Sequence, residues 1–262
     1  MKRCLFLFVL VLSLGLGATA APAEDKGTVV VVGGGQSGRP LARILVGQGY
    51  TVRVMVRNPD RASGLPAEAL VVRGDVTKPD SLDAGLKGAD FVISTIGAPC
   101  YRDRAPAPGS FPADVDNLGI ANLSAAASAA GVRQLVLMSA IGAGNADPED
   151  GLNKLCNMVL AEKGKGEAAL RESGLAYTIV RPGGLKPFPG QPECAEGVEP
   201  LLMFPGTEDT GGGALCRADV GLVMADALGN PDALSKTVNL IGDKQSALTA
   251  WRSAWAKMPA DQ

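Results

Sequence analysis

Gly33, Gly35 and Gly38 follow four consecutive valines, Val29 to Val32. Residues of these types at this spacing suit one task, the backbone binding of a pyrophosphate. An apolar strand ends at the valines, Gly33 permits the tight turn that follows, and Gly35 lets the backbone approach a ligand closely. Gly38 lets the next helix pack tightly on the strand. Gln36 and Ser37 fall where amides at the helix start, at the positive end of its dipole, would meet the anion. Pro40 in the first helical turn removes an amide that has no helical partner. The segment from Thr28 to Arg57 therefore predicts a dinucleotide site on a strand–turn–helix–strand unit.

The residues after the second strand bear on which dinucleotide. Where an NAD-type site places Asp or Glu to bond the ribose 2′-hydroxyl, this chain has Arg57-Asn58-Pro59, and the first carboxylate is Asp60. A guanidinium can clamp a 2′-phosphate that a carboxylate would repel. Arg57 thus favours NADP(H) over NAD(H); the plain alternative is an exposed arginine at a strand end. Asp75, after the third strand, has two readings, an acceptor for the adenine amino group or the acid of a Gly-Asp turn. Thr95, Ile96 and Gly97 end the fourth strand over the expected crevice and should approach the ribose or nicotinamide half.

The elements that must position these residues alternate along the chain. After the first unit come strands over Ala69–Arg73, Phe91–Thr95, Gln134–Ser139 and Ala176–Arg181. Helices are expected over Pro79–Leu86, Ala113–Ala130 and Leu152–Ser173, the last weakened by Gly164 and Gly166. A loop-rich segment near 182–213 carries a short strand near Leu201–Phe204. Helix then returns over Arg217–Leu228, strand over Thr237–Ile241, and a final helix over Leu248–Lys257. Strands alternating with helices predict an α/β fold, a doubly wound parallel sheet of Rossmann type. Its ligand crevice lies at the carboxyl ends of the strands.

With 262 residues the chain suits one large α/β domain, here 24–262. Hydrophobic residues make up 46% and charged ones 20%, which excludes disorder. The net charge of −2 without a basic cluster gives no sign of nucleic-acid binding. Histidine is absent, so no His base, Ser-His-Asp triad or His-ligated metal is available, and no metal site is expected. Lys2 and Arg3 precede an apolar run from Cys4 to about Leu16 and then small residues, the pattern of a signal peptide over 1–23. The expectation is export to the periplasm or medium, with no stable membrane span after cleavage; the alternative is an uncleaved anchor through residues 4–16. Cys100, Cys156, Cys194 and Cys216 remain. Cys194 and Cys216 flank one loop-rich segment and are the first candidates for a disulfide, the alternative being four unpaired thiols.

Several runs resemble the atypical short-chain dehydrogenase/reductases, and within them the NmrA-like NAD(P)H-binding group that includes flavin and biliverdin reductases. They are the first strand–turn–helix unit, Gly74-Asp75, Asp116-Asn117-Leu118 leading into a helix ending AAGV, VLMSAIGA from Val136, GLAYTIVRPGGL from Gly174, and Arg217-Ala218-Asp219-Val220. The glycine turn is one residue shorter than the group's usual G-x-x-G-x-x-G. The resemblance implies a serine above the nicotinamide at Ser139, a lysine near the ribose hydroxyls at Lys163, and a pocket shaped by Pro182 and Gly183. Ser139 could bond a substrate carbonyl or satisfy local backbone, and Lys163 could equally be a solvated helix lysine. Typical short-chain dehydrogenases carry Tyr-x-x-x-Lys, in which the lysine lowers the tyrosine pKa. Here the tyrosine position is Val159 if Lys163 is the lysine, or Ala161 if Lys165 is. The implied activity is hydride transfer to a small-molecule acceptor needing little acid catalysis, a flavin, quinone or tetrapyrrole. The alternative is a non-catalytic NAD(P)-binding sensor or assembly factor.

Overall fold

The computed structural model describes residues 26–101, 105–186, 194, 201–208, 213–245 and 247–261. The expected signal peptide, and the alternative anchor, lie outside the described residues. Uninterrupted Val, Ile and Leu runs form strands buried on both faces, as a parallel sheet requires. In chain order the elements begin β1 (Thr28–Val32), α1 (Gly38–Gly47), β2 (Thr51–Val56), β3 (Leu70–Arg73), α2 (Asp83–Leu86) and β4 (Phe91–Ser94). A wide π-helical turn, Ala113–Leu118, then leads into α3 (Gly119–Ala129), β5 (Gln134–Met138), α4 (Gly151–Leu155) and α5 (Val159–Glu172). The chain continues through β6 (Tyr177–Pro182), β7 (Gly184–Lys186), β8 (Leu201–Pro205), β9 (Ala214–Cys216), α6 (Arg217–Asp226) and β10 (Lys236–Gly242).

Among the described residues the main sheet has eight strands in the order β3-β2-β1-β4-β5-β6-β10-β8. All neighbours are parallel except the edge pair β10 and β8, which is antiparallel, with Leu240 opposite Met203. The wholly parallel expectation thus becomes a parallel sheet with one antiparallel edge. One face packs α1, α6 and the two buried tryptophans, Trp251 and Trp255, against alternate residues such as Val29 and Val31. The other packs α2, α3 and α5 against Val30, Val32 and Leu137. The strand order reverses between β1 and β4, so a crevice opens at their carboxyl ends.

Two local expectations are corrected, and a third is settled between its alternatives. The helix expected over Leu152–Ser173 is two helices, because the chain folds round a buried asparagine. Asn153 donates to the carbonyls of Asn145 and Asp147 and accepts from the Leu160 amide, which puts Asn157 and Met158 at φ 55° and 63°. The final helix over Leu248–Lys257 is two 3₁₀ turns, Ala250–Ser253 and Trp255–Lys257, in which both tryptophans remain buried. The cysteines form two disulfides. Cys194–Cys216 is the expected pair, with Cα atoms 6.1 Å apart. Cys100–Cys156, at 4.9 Å, joins segments 56 residues apart and replaces the alternative of unpaired thiols. Among the described residues no helix is long and apolar enough to cross a membrane.

Candidate functional site

A cleft of about 770 Å³ lies at the carboxyl ends of β1, β2 and β4, within the usual range for a small-molecule site. Its walls include Gly33, Gly35, Arg57, Asp75, Thr95, Ile96 and Gly97, seven of the residues expected from sequence. Gln36, Ser37 and Gly38 belong to the same turn behind it. The turn is fixed from two sides: the Gly33 amide donates to the Met55 carbonyl at 2.9 Å, and the Thr95 hydroxyl donates to the Gly33 carbonyl at 3.2 Å. A Cβ on Gly38 would stand 1.7 Å from the Gly33 carbonyl oxygen, so helix and turn touch backbone to backbone there. At Gly35 a Cβ would meet nothing within 4 Å, because that position faces the open cleft. Such a cradle, amide-lined and open at its centre, fits a pyrophosphate.

One end of the cleft is rich in guanidinium groups. Arg57 is exposed and its Nη1 donates to Ser110 Oγ at 3.3 Å. Arg61 lines the same wall together with Asn58, a residue pair that sequence reasoning did not select. The 3₁₀ turn Pro59–Arg61, capped by Asn58 Oδ1 accepting from the Asp60 amide, carries Arg61 round to the cleft. Arg39 and Arg43 of α1 hold the following loop through Ser63 Oγ and the Gly64 carbonyl. Asp75 also lines the cleft, but its Oδ1 accepts from the Thr77 amide and hydroxyl at 3.0 and 2.8 Å. That is the turn-forming role, and it occupies one of the two carboxylate oxygens.

Beside the cleft, next to Gly97, lies a buried ion pair. Asp116, in the π-helical turn, is 2% exposed at its side chain and lies 2.7 Å from Lys163 Nζ on α5. Its second oxygen accepts from the Ala98 amide at 2.9 Å. A Cβ on Gly97 would stand 3.7 Å from the Lys163 nitrogen, so the ammonium sits directly against the cleft wall. The close approach of α5 explains the two glycines that weaken its helical pattern. A Cβ on Gly166 would lie 2.0 Å from the Asp116 carbonyl oxygen, and one on Gly164 2.5 Å from the Gly144 Cα. In the sequence Asp116 is one residue of the Asp116-Asn117-Leu118 run, and no local pattern reveals that it pairs with a residue 47 positions away.

Ser139 follows β5, its amide donating to the Val180 carbonyl at 2.8 Å. It is 6% exposed, and among the described residues its hydroxyl has no hydrogen-bond partner, so local backbone does not satisfy it. An orphaned buried hydroxyl at this strand end fits a site completed by a ligand. Pro182 and Gly183 are instead engaged in packing. The Gly183 amide donates to the Leu240 carbonyl, and a Cβ on Gly183 would lie 2.1 Å from the Gly213 carbonyl oxygen. Arg181 is held by the fully buried Glu167, with Nε donating at 2.8 Å. Tyr177 lies at the far end of β6 from the cleft. Burial first, and then the Asp261 carboxylate that accepts its hydroxyl, push its pKa up to about 12. Tyr101 is the tyrosine found on the cleft wall.

Fold, glycine cradle and cleft together define a Rossmann-type dinucleotide-binding domain. Residues 33–231 match the family described as NAD(P)H-binding, and the chain belongs to it. Within that family it fits the NmrA-like group of atypical short-chain dehydrogenase/reductases. An uncharacterized chloroplastic protein of Arabidopsis thaliana is 31% identical over 240 residues, 85% of this chain and 71% of that protein. Sanguinarine reductase of Eschscholzia californica is 28% identical over 225 residues, covering 73% of this chain and 79% of that enzyme. Protein TIC 62 of Pisum sativum, also chloroplastic, is 30% identical, and the match covers 92% of this chain but 47% of that longer protein. A wide-type short-chain dehydrogenase/reductase of Veillonella parvula, solved in complex with NADP, shares the fold with a TM-score of 0.63 at 17% identity, over 85% of this chain and 97% of that one. Among the described residues no cluster of His, Cys, Asp and Glu is arranged to hold a metal.

Proposed function

We propose that the protein is an NADP(H)-dependent reductase that passes a hydride to a flavin-, quinone- or tetrapyrrole-like acceptor without a Tyr-x-x-x-Lys pair. The observation that carries this reading is the cleft itself, lined by Arg57 and Arg61, with the Lys163–Asp116 pair beside its Gly97 wall. When bound, the dinucleotide would supply the hydride. The glycine cradle from Gly33 to Gly38 holds the pyrophosphate. Arg57 and Arg61 hold the 2′-phosphate, which favours NADP(H) over NAD(H). Asp116 fixes Lys163 against Gly97, where the ammonium can serve the ribose hydroxyls. Ser139 offers its unpartnered hydroxyl to an acceptor carbonyl, and solvent supplies the proton. Pro182 and Gly183 support the rim through the packing described. The name of one relative, sanguinarine reductase, supports this direction of chemistry.

The test is a fluorescence titration of the mature protein with NADPH and NADH, followed by flavin, quinone and tetrapyrrole acceptors. Micromolar NADPH binding with oxidation by at least one acceptor class is expected. Arg57→Asp should weaken NADPH at least tenfold more than NADH, and equal losses would remove the 2′-phosphate assignment. A second reading is a non-catalytic NADP-binding sensor or assembly factor; it is favoured by Val159 and Ala161 standing where a proton-donating tyrosine would be. NADPH binding without turnover across the panel would select it. Residues 1–23 are read as a targeting segment, for export or, alternatively, as an anchor; the chloroplastic relatives support a presequence in general.

A further inference from the structure

We infer that the Cys100–Cys156 disulfide is a thiol–disulfide exchange site whose redox state sets the affinity of the cleft for its dinucleotide. The inference rests on the cofactor reading above. The bond ties together the three segments that make the nicotinamide end of the site. Cys100 follows Gly97, Ala98 and Pro99, and Gly97, Pro99 and Tyr101 all line the cleft. Cys156 ends α4, just before the left-handed pair Asn157 and Met158, from which α5 sets out towards Lys163. Its buried side chain packs with Val159 and Leu160 against Ala140, the neighbour of Ser139. One covalent link therefore holds the loop after β4 against the end of β5 and the start of α5. Ala98 completes the arrangement by donating its amide to Asp116, the partner of Lys163.

The two cysteines differ in exposure, which gives the exchange a direction. Cys100 is exposed, whereas Cys156 is 3% exposed. A thiolate of an external dithiol can attack Cys100 Sγ, forming a mixed disulfide while Cys156 leaves as the thiolate and takes up a proton. The second thiol of the reductant then attacks its own sulfur of the mixed disulfide, releasing the Cys100 thiolate, which is protonated. Two electrons pass from the dithiol, which ends as a disulfide, to the protein, which ends with two thiols. Reduced, the loop after β4 keeps the Ala98–Asp116 hydrogen bond but loses its covalent tether to α4. The wall formed by Gly97, Pro99 and Tyr101 then samples more conformations, and binding must order it again. Cys194–Cys216 instead joins residue 194 to the end of β9 and ties none of the three segments named above.

The experiment compares NADPH affinity of the full protein before and after equilibration with a dithiol buffer, with each disulfide's state read by differential alkylation and peptide mass spectrometry. Reduction of Cys100–Cys156 is expected to raise the Kd about tenfold, a coupling in the usual range between two sites, and reoxidation to restore it. Cys100→Ser should give the weak affinity without reductant and no further response to it. Cys194→Ser should keep the tight affinity and the full response. Equal affinity in the two states of Cys100–Cys156 overturns the inference while leaving the cofactor reading in place. So does a response that tracks Cys194–Cys216 instead. Failure to bind NADPH in either state removes the cofactor reading and this inference with it. If Cys100→Ser does not fold, the wild-type titration across dithiol potentials decides alone.

Discussion

The Asp116–Lys163 pair gives the sharpest test of how the site is built. In Asp116→Ala the Lys163 ammonium, 16% exposed at its side chain, loses its carboxylate, and the Ala98 amide loses its acceptor. Breaking a buried ion pair costs about 3–5 kcal/mol, and the lysine stem can relieve part of this by turning its head towards the cleft. A loss of about 3 kcal/mol is therefore expected. Lys163→Met leaves a carboxylate that is 2% exposed, supported by one amide, and a similar loss of about 3 kcal/mol follows. The double variant buries no uncompensated charge and should lose only about 3–4 kcal/mol, a coupling of about 2–3 kcal/mol. Urea unfolding of the four proteins measures this, with unchanged m-values confirming a common unfolding transition. Additive losses, within about 0.5 kcal/mol, would refute the pair as a coupled buried unit. They would also remove the basis for placing Lys163 against Gly97.

Two further outcomes are expected. Gly38→Ala and Gly35→Ala should separate folding from binding: the first forces a Cβ against the Gly33 carbonyl and should cost about 2–3 kcal/mol of stability, whereas the second meets nothing and should shift the melting temperature by less than about 2 °C while still weakening NADPH by projecting into the cleft. Thermal melts with parallel titrations check this, and a destabilised Gly35→Ala with intact binding would contradict the assignment of the turn. Tyr177 predicts an alkaline limit. Its folded pKa of about 12 lies above the unfolded value of about 10, so its contribution is complete below pH 10 and is lost between pH 10 and 12, as the unfolded chain releases the proton first. Tyr177→Phe should flatten that part of the stability profile in chemical denaturation between pH 9 and 11.5; an unchanged slope would show that another group is responsible.

The fold was legible because each parallel strand is a run of apolar residues bounded by turn signals, and the glycine turn follows such a run directly. What escaped sequence reasoning depended on contacts between distant segments. The pattern from Leu152 to Ser173 reads as one helix, yet Asn153 gathers Asn145, Asp147 and Leu160 around itself and breaks it. β7 and β9 are three residues each, too short for periodicity, and exist by pairing across a long loop. At the site, Arg57 was legible because it ends a strand, and Arg61 was not because a 3₁₀ turn brings it round. Gly164 and Gly166 looked like weaknesses of a helix, but they are the price of bringing Lys163 up to Asp116 and Gly97.

The two ends of the cleft are therefore made in different ways. The end lined by Arg57 and Arg61 is local: the glycine turn, Arg57 and Arg61 lie within 29 consecutive residues, from Gly33 to Arg61. The other end is assembled from the ends of β4 and β5, a π-helical turn and α5, held by an ion pair and a disulfide that each span some fifty residues. Substitutions that disturb the long-range ties can abolish chemistry while the local unit still holds a dinucleotide. A family built in this way can keep cofactor binding as turnover changes or lapses, so for this chain binding and turnover must be measured separately.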